Sequence, residues 1–232
     1  MNIACIFLML NRPELSLRTI KHNFYNSEKD SDVFLIDNGS YFENLTKISL
    51  AYPFKNIYRF EENKGVAHAI NKGIELAENY DGIVTIANDI LMPQGWLRVM
   101  VEYATKIPDT GMVGIHCVEQ LPPLCDINGV SVHLSHEKTF GNTLITKRAI
   151  DKTGRFNEDL DPYSNQDADY AYRLMKSGFI NYYIPNLKSE HIGHDVGSGT
   201  EYRKMKDESI EANWKKHHEW LKYYDETGNY YI

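Results

Sequence analysis

The chain has 232 residues, of which 42% are hydrophobic and 25% are charged, as expected for a soluble globular protein. This length suits one α/β domain or two small ones, and we expect one because no repeat, linker or low-complexity segment divides the chain. The net charge of −7 argues against a general nucleic-acid-binding protein, which normally presents a basic surface. A local basic groove is compatible with this charge.

The three cysteines, Cys5, Cys117 and Cys125, lack the paired spacing of a zinc site. Their odd number, together with the absence of a secretory signal, favours a reducing, cytoplasmic setting. The apolar run at residues 3–10 is too short to span a bilayer, and no other segment is long enough. We therefore expect a cytoplasmic protein without a transmembrane segment, and leave open a peripheral position at the membrane.

Apolar runs and helical periodicity alternate through the first half of the chain. Continuous apolar runs predict strands at residues 3–10, 33–36, 56–60, 82–87 and 111–117. Apolar spacings of three and four, and Pro13 in a first turn, predict helices at residues 13–24, 41–50, 66–80 and 93–106. The alternation indicates a mainly parallel sheet built from βαβ units.

The second half of the chain changes character. Prolines, a glycine and an alternating stretch within residues 118–140 predict antiparallel excursions from the sheet. Further strands are predicted at residues 141–146 and 180–184, the latter ended by Pro185, and helices at residues 147–153, 164–177 and 201–224. The last helix is rich in aromatic residues and lysines. We expect it to pack on its own domain or to form a homodimer contact, with a membrane-surface helix as the alternative.

Polar residues follow the carboxyl ends of the predicted strands, where open α/β sheets bind ligands. The segment Asp37-Asn38-Gly39-Ser40 is either a plain turn or a carboxylate that accepts N–H groups of a nucleotide base. Asp89 is either a helix cap or a ligand of Mg²⁺, which often takes one or two carboxylates plus substrate phosphates. Residues 63–73 are either an asparagine cap with small residues or a phosphate loop at a helix N-terminus. They form neither a Walker A loop nor a dinucleotide fingerprint.

Two further segments in the second half carry candidate groups. Ser164-Asn165-Gln166-Asp167 resembles a capping box with Asp167 at the third helical position. Asp169 and Arg173 are four residues apart and could pair, while the functional alternative makes one carboxylate a general base. His191 and His194 lie in a glycine-rich segment after a strand, and their spacing allows one or both to reach a metal.

In this order the motifs resemble those of glycosyltransferase family 2, whose members are nucleotide-sugar glycosyltransferases of the GT-A fold. The resemblance covers about residues 1–200 and is specific for the fold and reaction class rather than for the sugars. The similar segments are Leu10-Asn11-Arg12-Pro13, Asp37-Asn38-Gly39-Ser40, Asn63-Lys64-Gly65 through Asn71-Lys72-Gly73, Asn88-Asp89 at the DXD position, Gly154-Arg155-Phe156-Asn157-Glu158, and Gln166-Asp167-Ala168-Asp169 with Arg173 and Gly178.

The resemblance implies an α/β fold, namely a single GT-A-type, Rossmann-like domain over residues 1–232. Its central sheet would be mainly parallel, with helices on both faces and a small antiparallel portion on the acceptor side. Residues 1–117 would form the nucleotide-sugar-binding half, residues 118–200 the acceptor and catalytic half, and residues 201–232 a C-terminal helical tail.

The resemblance also implies a site. Asp37 would face the base, commonly uracil. Asp89, with His191 or His194, would bind Mn²⁺ or Mg²⁺ bridging the donor diphosphate, and Asp167 would deprotonate the acceptor hydroxyl as it attacks the anomeric carbon with inversion. The residues implied to line the nucleotide-sugar pocket are Asn11, Arg12, Asp37, Asn63, Gly65, Asn71 and Asn88.

Two positions depart from the family pattern. Ala87-Asn88-Asp89 lacks the first carboxylate of the DXD motif, which implies weaker metal binding or reliance on the histidine segment. Gln166 replaces the glutamate of the family's Glu-Asp pair, whereas the base at Asp167 is retained. The short chain without membrane spans argues against a processive polysaccharide synthase.

We therefore expect a metal-assisted, inverting transferase that uses a UDP-sugar donor and a glycan or other hydroxyl acceptor. Nucleic acid is not an expected partner, although a modified phage DNA base is left open as acceptor. One alternative is a nucleotidyltransferase, which would need a glycine-rich basic loop where residues 10–15 offer only Arg12. The other is a catalytically inactive nucleotide-sugar or glycan-binding module, against which the retained Asp89 and Asp167 argue.

Overall fold

Strands and helices alternate along the chain in a computed structural model, which describes residues 1–117, 120–135, 142–193 and 201–232. The strands are β1 Ile3–Met9, β2 Asp32–Asp37, β3 Asn56–Arg59, β4 Gly82–Ile86, β5 Ile90–Leu91, β6 Thr110–His116, β7 Leu124–Ile127, β8 Val130–Leu134, β9 Thr143–Thr146, β10 Ile180–Lys188 and β11 Glu190–His191. The helices are α1 Pro13–Tyr25, α2 Phe42–Ser49, α3 Val66–Leu76, α4 Trp96–Lys106, α5 Lys147–Thr153, α6 Gln166–Lys176 and α7 Glu201–Thr227, with a 3₁₀ turn at Glu158–Leu160.

Nine strands of the described residues form one mixed sheet in the order β3-β2-β1-β4-β9-β6-β10-β8-β7. Strand β1 pairs in parallel with β2 and β4, β2 with β3, and β6 with β10. Strand β9 runs antiparallel between β4 and β6, so these two strands share one direction. The carboxyl ends of β1, β2, β3, β4, β6 and β10 therefore lie at one edge of the sheet. The hairpin β7–β8 adds the antiparallel portion.

The residues of β1 alternate between two hydrophobic layers, as expected for a strand buried on both faces. Ile3, Cys5 and Phe7 pack with apolar residues of α1, α2 and α4 on one face. Ala4 and Ile6 pack with those of α3, α5 and α6 on the other face. The predicted α/β class, with helices on both faces of a central sheet, is thus confirmed.

The structure departs from the predicted elements mainly at β10 and at two short strands. Strand β10 does not end at Pro185 but continues to Lys188, because its register against β6 shifts between Tyr183 and Lys188 and this irregularity accommodates the proline. The two-residue strands β5 and β11, which pair with each other, were not predicted. Residue 141 of the strand predicted at 141–146 lies outside the described residues, and β9 begins at Thr143.

A buried ion pair joins three helices on one side of the sheet. The Nε of Arg173 donates to Asp169 at 2.9 Å, as the spacing on α6 predicts, and both side chains are fully buried. The guanidinium also donates to the carbonyl oxygens of Thr153 and Arg155 at 2.9 and 2.8 Å. The hydroxyl of Tyr224, on α7, donates to Asp169 at 2.9 Å. Burial and the nearby Asp169 carboxylate raise the pKa of this tyrosine.

One face of helix α7 packs on the rest of the chain, as predicted in the alternative in which this helix packs on its own domain. Asn213 is buried and donates to the carbonyl oxygen of Tyr163 at 2.7 Å, while Lys216 donates to that of Asp159 at 2.9 Å. Trp214, outside this packed face, is 59% exposed. No helix in the described ranges combines the length and the apolarity needed to cross a bilayer.

Replacing Tyr224 by phenylalanine should lower the free energy of unfolding by about 1.5–3 kcal/mol, because a buried carboxylate loses a hydrogen bond. The matched control is Tyr172→Phe, whose hydroxyl donates to the exposed Asp225 at 2.6 Å. This change should cost about 0.5 kcal/mol or less. Urea denaturation measures both variants, and equal losses would contradict the importance of the buried network.

Candidate functional site

The polar residues predicted to form a site do follow neighbouring parallel strands at one edge of the sheet. Asn11 and Arg12 come after β1, Asp37 ends β2, and Asn88 and Asp89 come after β4. Met9 pairs with Asp37 across β1 and β2, so these strands end level with each other. These five residues therefore lie at the same sheet edge because of the sheet register, where open α/β sheets bind ligands.

Asp37 is fully buried at this edge and is held by its own turn. Its Oδ1 accepts the backbone N–H of Ser40 at 3.1 Å. Its Oδ2 lies 3.2 Å from Nε of Arg59 but accepts no hydrogen bond from the described residues. Because buried polar atoms are rarely left without a hydrogen bond, this oxygen is a candidate acceptor for a ligand N–H group.

A clamp of two asparagines fixes the segment after β3. The side-chain amide of Asn38 donates to Oδ1 of Asn63 and to the carbonyl oxygen of Gly65, both at 2.9 Å. Gly39, with φ +86°, lets the two turns approach, since a Cβ there would lie 2.4 Å from the carbonyl carbon of Glu62. Asn63 is thus held beside the Asp37 turn, where the predicted pocket would be.

Asn11 links the end of β1 to the start of α2. Its backbone N–H donates to Oγ of Ser40 at 2.7 Å, and its Oδ1 accepts the backbone N–H of Tyr41 at 2.9 Å. Asn11 and Arg12 both have left-handed backbones, with φ values of 52° and 55°. This turn sends the Arg12 side chain toward the end of β4.

Asp89, Arg12 and His191 meet at the end of β4. Nη1 of Arg12 donates to Oδ2 of Asp89 at 2.9 Å, and Nε2 of His191 lies 3.5 Å from the same oxygen. Nη2 of Arg12 also donates to the carbonyl oxygen of Gly193 at 3.3 Å. A Cβ at Gly193 would lie 2.3 Å from Oδ2 of Asp89, so only glycine allows this close approach.

The small sheet formed by β5 and β11 brings His191 to Asp89. His191 pairs with Ile90, the residue after Asp89, and the N–H of Ile192 donates to the carbonyl oxygen of Asp89 at 2.8 Å. Strands of two residues leave no periodic pattern, which is why sequence reasoning missed them. The other predicted metal ligand, His194, lies outside the described residues.

Asn88 stands where the first carboxylate of a DXD motif would be, and it binds α1. Its side-chain amide donates to Oγ of Ser16 at 3.1 Å, and its carbonyl oxygen accepts the hydroxyl of Thr19 at 3.0 Å. Ser16 and Thr19 are fully buried. Asn88 therefore anchors the loop to α1 through one side-chain and one backbone hydrogen bond.

The N-terminus of α3 is capped by Asp161. Its carboxylate accepts the backbone N–H groups of Ala67 and His68 at 2.8 and 3.0 Å, and the ring Nδ1 of His68 lies 2.7 Å from it. A Cβ at Gly65 would lie 2.2 Å from Cγ of Asp161. Because this carboxylate binds the helix end, the interpretation of residues 63–73 as a phosphate loop is not supported.

Asn71, predicted to line the nucleotide pocket, binds the loop before α6. Its amide donates to the carbonyl oxygen of Phe156 at 2.9 Å and to Oε1 of Glu158 at 2.8 Å. Its Oδ1 accepts the N–H of Phe156 at 2.9 Å. None of these described contacts involves the Asp37 turn or Asp89, and the nucleotide-binding roles of Gly65 and Asn71 stay predictions.

Asp167 lies in the first turn of α6, although not in a capping box. The helix begins at Gln166, and the preceding Asn165, with φ 68°, makes no side-chain cap. Oδ1 of Asp167 accepts the N–H of Ala168 at 3.0 Å. The amide of Gln166 donates to the carbonyl oxygen of Leu160 at 2.8 Å and to Asp161 at 3.3 Å. A glutamate there would bring a second carboxylate against Asp161, so the departure at Gln166 has a local reason.

Asp89 and His191 offer a carboxylate oxygen, which suits Mn²⁺ and Mg²⁺, and an imidazole nitrogen, which is a common metal ligand. Within the part of the chain that the structure describes, no group of three or more His, Cys, Asp or Glu side chains could hold a metal ion. A metal at this pair would therefore need further ligands from a bound diphosphate or water, as is common for Mg²⁺. The two residues fit a metal shared with a substrate.

An open cavity of about 350 Å³ lies beside His191, at the carboxyl ends of β6 and β10. Cys117, Lys188, Ser189 and Glu190 complete its lining. Burial raises the pKa of the Cys117 thiol, which favours the neutral form. The cavity adjoins the metal candidate, so it is a candidate space for a second substrate.

Solved structures with similar folds are glycosyltransferases. GalNAc-T7 with UDP, GalNAc and Mn²⁺ is 14% identical with a TM-score of 0.71, over 94% of this chain and 48% of that one. The mannosyltransferase PcManGT from Pyrobaculum calidifontis, with GDP-Man and Mn²⁺, is 17% identical with a TM-score of 0.66, over 84% and 58%. S. aureus TarS 1-349 with UDP is 12% identical with a TM-score of 0.62, over 82% and 59%.

These likenesses define a GT-A glycosyltransferase fold, and the chain spans about half to three-fifths of the length of those proteins. Residues 5–121 match the sequence profile of Glycosyl transferase family 2, which is half of the chain. The chain belongs to glycosyl transferase family 2. A sequence comparison with curated proteins gives no match.

Replacing Asp161 by alanine should lower the free energy of unfolding by about 2 kcal/mol, because the N–H groups at the start of α3 lose their cap. The matched control is Asp159→Ala, on the exposed side of the same turn, which should change stability by about 0.5 kcal/mol or less. Urea denaturation measures both. Equal stability of the two variants would show that α3 does not depend on this carboxylate.

Proposed function

We propose that the protein is a metal-assisted, inverting glycosyltransferase that moves a sugar from a UDP-sugar to an acceptor hydroxyl. The observation that carries the proposal is the group formed by Asp89, His191 and Arg12 at the same sheet edge as the buried Asp37. Family membership supports the reaction class. The geometry supports separate roles for these residues in binding the base, the metal and the diphosphate.

Asp37 would recognise the nucleotide base. Its buried Oδ2 can accept an N–H group, and uracil offers such a group at N3 whereas the corresponding ring nitrogen of cytosine is an acceptor. Asn63, clamped beside this turn by Asn38, would border the same pocket. UDP is present in two of the similar structures and GDP-Man in the third, which makes GDP the main competing nucleotide.

Asp89 and His191 would hold Mn²⁺ or Mg²⁺ together with oxygens of the donor diphosphate. When bound, the metal supplies Lewis-acid stabilisation of the charge that develops on the departing nucleoside diphosphate. The Arg12 guanidinium, 22% exposed at the same carboxylate, would contribute a second positive charge toward the diphosphate. Asn11 and Asn88 would act indirectly by fixing the turns that carry Arg12 and Asp89.

Asp167 would be the general base. It would accept the acceptor hydroxyl proton while the hydroxyl oxygen bonds to the anomeric carbon from the face opposite the diphosphate. The bond between that carbon and the phosphate oxygen breaks, and the diphosphate leaves with the electron pair, which inverts the configuration. The hydrogen bonds of Gln166 to Leu160 and Asp161 would hold the base in place.

The acceptor would enter through the cavity next to His191. Lys188 and Glu190 at its wall suit a hydroxyl-rich molecule such as a glycan, since both can hydrogen-bond to hydroxyl groups. A homodimer through the exposed face of α7 and a cytoplasmic location with peripheral membrane contact are further proposals. They follow from the helix composition and the cysteine pattern.

Two other functions are less well supported. A nucleotidyltransferase would need glycine-rich basic residues after β1, where the chain has only Arg12 before α1. A catalytically inactive binding module would not need both Asp89 and Asp167. Turnover of a UDP-sugar separates the second alternative from a working transferase.

Replacing Asp167 by asparagine should lower turnover at least a hundredfold, because the amide cannot accept the hydroxyl proton. Binding of UDP, measured by calorimetry, should change less than threefold. Asp159→Asn, an exposed carboxylate outside the site, is the control and should keep its activity. Unchanged turnover in Asp167→Asn would remove this residue as the base.

A panel of UDP-, GDP-, CDP- and dTDP-sugars, with and without Mn²⁺, tests the donor. A ligand at about a hundred times its Kd adds about 2.7 kcal/mol to stability, which raises the melting temperature of a chain of this size by about 5–10 °C. We expect the largest thermal shift with a UDP-sugar plus Mn²⁺. No shift with any nucleotide would contradict the proposed function as a whole.

A further inference from the structure

We propose that Arg12 occupies the metal-binding oxygen of Asp89 when no donor is bound and moves to the diphosphate when the donor arrives. Metal binding at Asp89 would then depend on the nucleotide. This inference rests on the proposed function, because it assigns a second role to a residue at the same site. It concerns the order of binding rather than the chemical step.

The geometry places the guanidinium on the oxygen that a metal would use. Oδ2 of Asp89 accepts Nη1–H of Arg12 at 2.9 Å, and this same oxygen faces Nε2 of His191 at 3.5 Å. Gly193 packs against it from a third side. The oxygen of Asp89 that faces His191 is therefore already engaged by a cation of the chain.

The charges at the site support competition. Asn88 stands where a second carboxylate would be, and its amide binds Ser16. Asp89 thus contributes one negative charge, which the guanidinium neutralises. Because a divalent cation beside the guanidinium would meet repulsion and gain no net attraction, metal alone should bind weakly. A bound diphosphate changes this balance by adding negative charge and phosphate oxygens that can ligate the metal.

Arg12 is placed to leave once a diphosphate is present. Its second hydrogen bond, to the carbonyl oxygen of Gly193, is long at 3.3 Å, and the side chain is partly open to solvent. A planar guanidinium forms strong paired hydrogen bonds with phosphate oxygens. The diphosphate therefore offers Arg12 a better partner and frees Oδ2 of Asp89 for the metal.

Arg12→Gln tests this exchange, because it removes the charge while keeping a polar side chain of similar reach. Free Mn²⁺ is measured by electron paramagnetic resonance, first without nucleotide and then with saturating UDP. Without UDP the variant should bind Mn²⁺ at least tenfold more tightly than wild type. The enhancement of Mn²⁺ affinity by UDP, large in wild type, should shrink by a similar factor.

A second measurement concerns the affinity for UDP, which should fall in the variant, whereas the affinity for Mn²⁺ alone should rise. The affinity for UDP in the presence of saturating Mn²⁺ should fall at least fivefold in Arg12→Gln, because the diphosphate loses the guanidinium. A purely structural role for Arg12 would weaken both Mn²⁺ and UDP binding. The control is Arg98→Gln, which removes an exposed arginine–carboxylate contact with Glu28 and should leave both affinities unchanged.

The outcomes separate the two proposals. Equal or weaker Mn²⁺ binding by Arg12→Gln without UDP, with UDP and Mn²⁺ still binding to wild type, would overturn the role of Arg12 alone. Failure of wild type to bind UDP under any condition would overturn the proposed function and this inference together. Arg12→Lys keeps a cation next to Asp89 and should stay within threefold of wild type without UDP. A tenfold gain in this variant would contradict charge competition.

Discussion

The carboxylate of Asp161 at the N-terminus of α3 is the contact on which the arrangement of the site depends most. A helix end that leaves its first N–H groups without partners is costly when buried, and here the partner comes from the second half of the chain. His68 adds its ring, with Nδ1 2.7 Å from Asp161 and Nε2 2.8 Å from Glu158. A helix of the first half of the chain is therefore capped by a residue more than ninety positions further along the sequence.

The loop that carries Asp161, between α5 and α6, also fixes the start of α6. Gln166 donates to Asp161 and to the carbonyl oxygen of Leu160, and Asn71 binds the backbone at Phe156. The loop is therefore held by polar side chains of two helices instead of by regular secondary structure. Because Asp167 is the next residue on α6, its position follows from these contacts. The buried Asp169–Arg173 pair holds the same helix further along its length.

Much of the fold could be predicted from the sequence, because apolar runs and helical spacing report directly on burial. The bounds of β1, β2, β3 and β4 were predicted correctly to within a residue or two. Asn11, Asn63 and Asp89 follow the ends of β1, β3 and β4, and Asp37 ends β2. The convergence of these residues followed from the rule that parallel strands share an edge. The Asp169–Arg173 pair was also predictable, since four residues on a helix bring two side chains together.

Contacts between distant segments could not be predicted. The pairing of β5 with β11 involves two residues on each strand, too few for a pattern, yet it sets His191 beside Asp89. The cap on α3 was expected from a nearby asparagine, and it comes from Asp161. No local sequence pattern identifies a distant capping residue, because the tertiary fold determines which residue reaches the helix end. The hydrogen bonds of Gln166 could not be predicted from the sequence for the same reason.

The position of β9 between β4 and β6 has a consequence for folding. Strand β9 belongs to the second half of the sequence, whereas both of its neighbours belong to the first. Residues 5–121, the part that matches the family profile, therefore contain β4 and β6 without the strand that joins them. We expect this segment to have no independent folded state, so that the two halves of the chain fold and unfold as one cooperative unit.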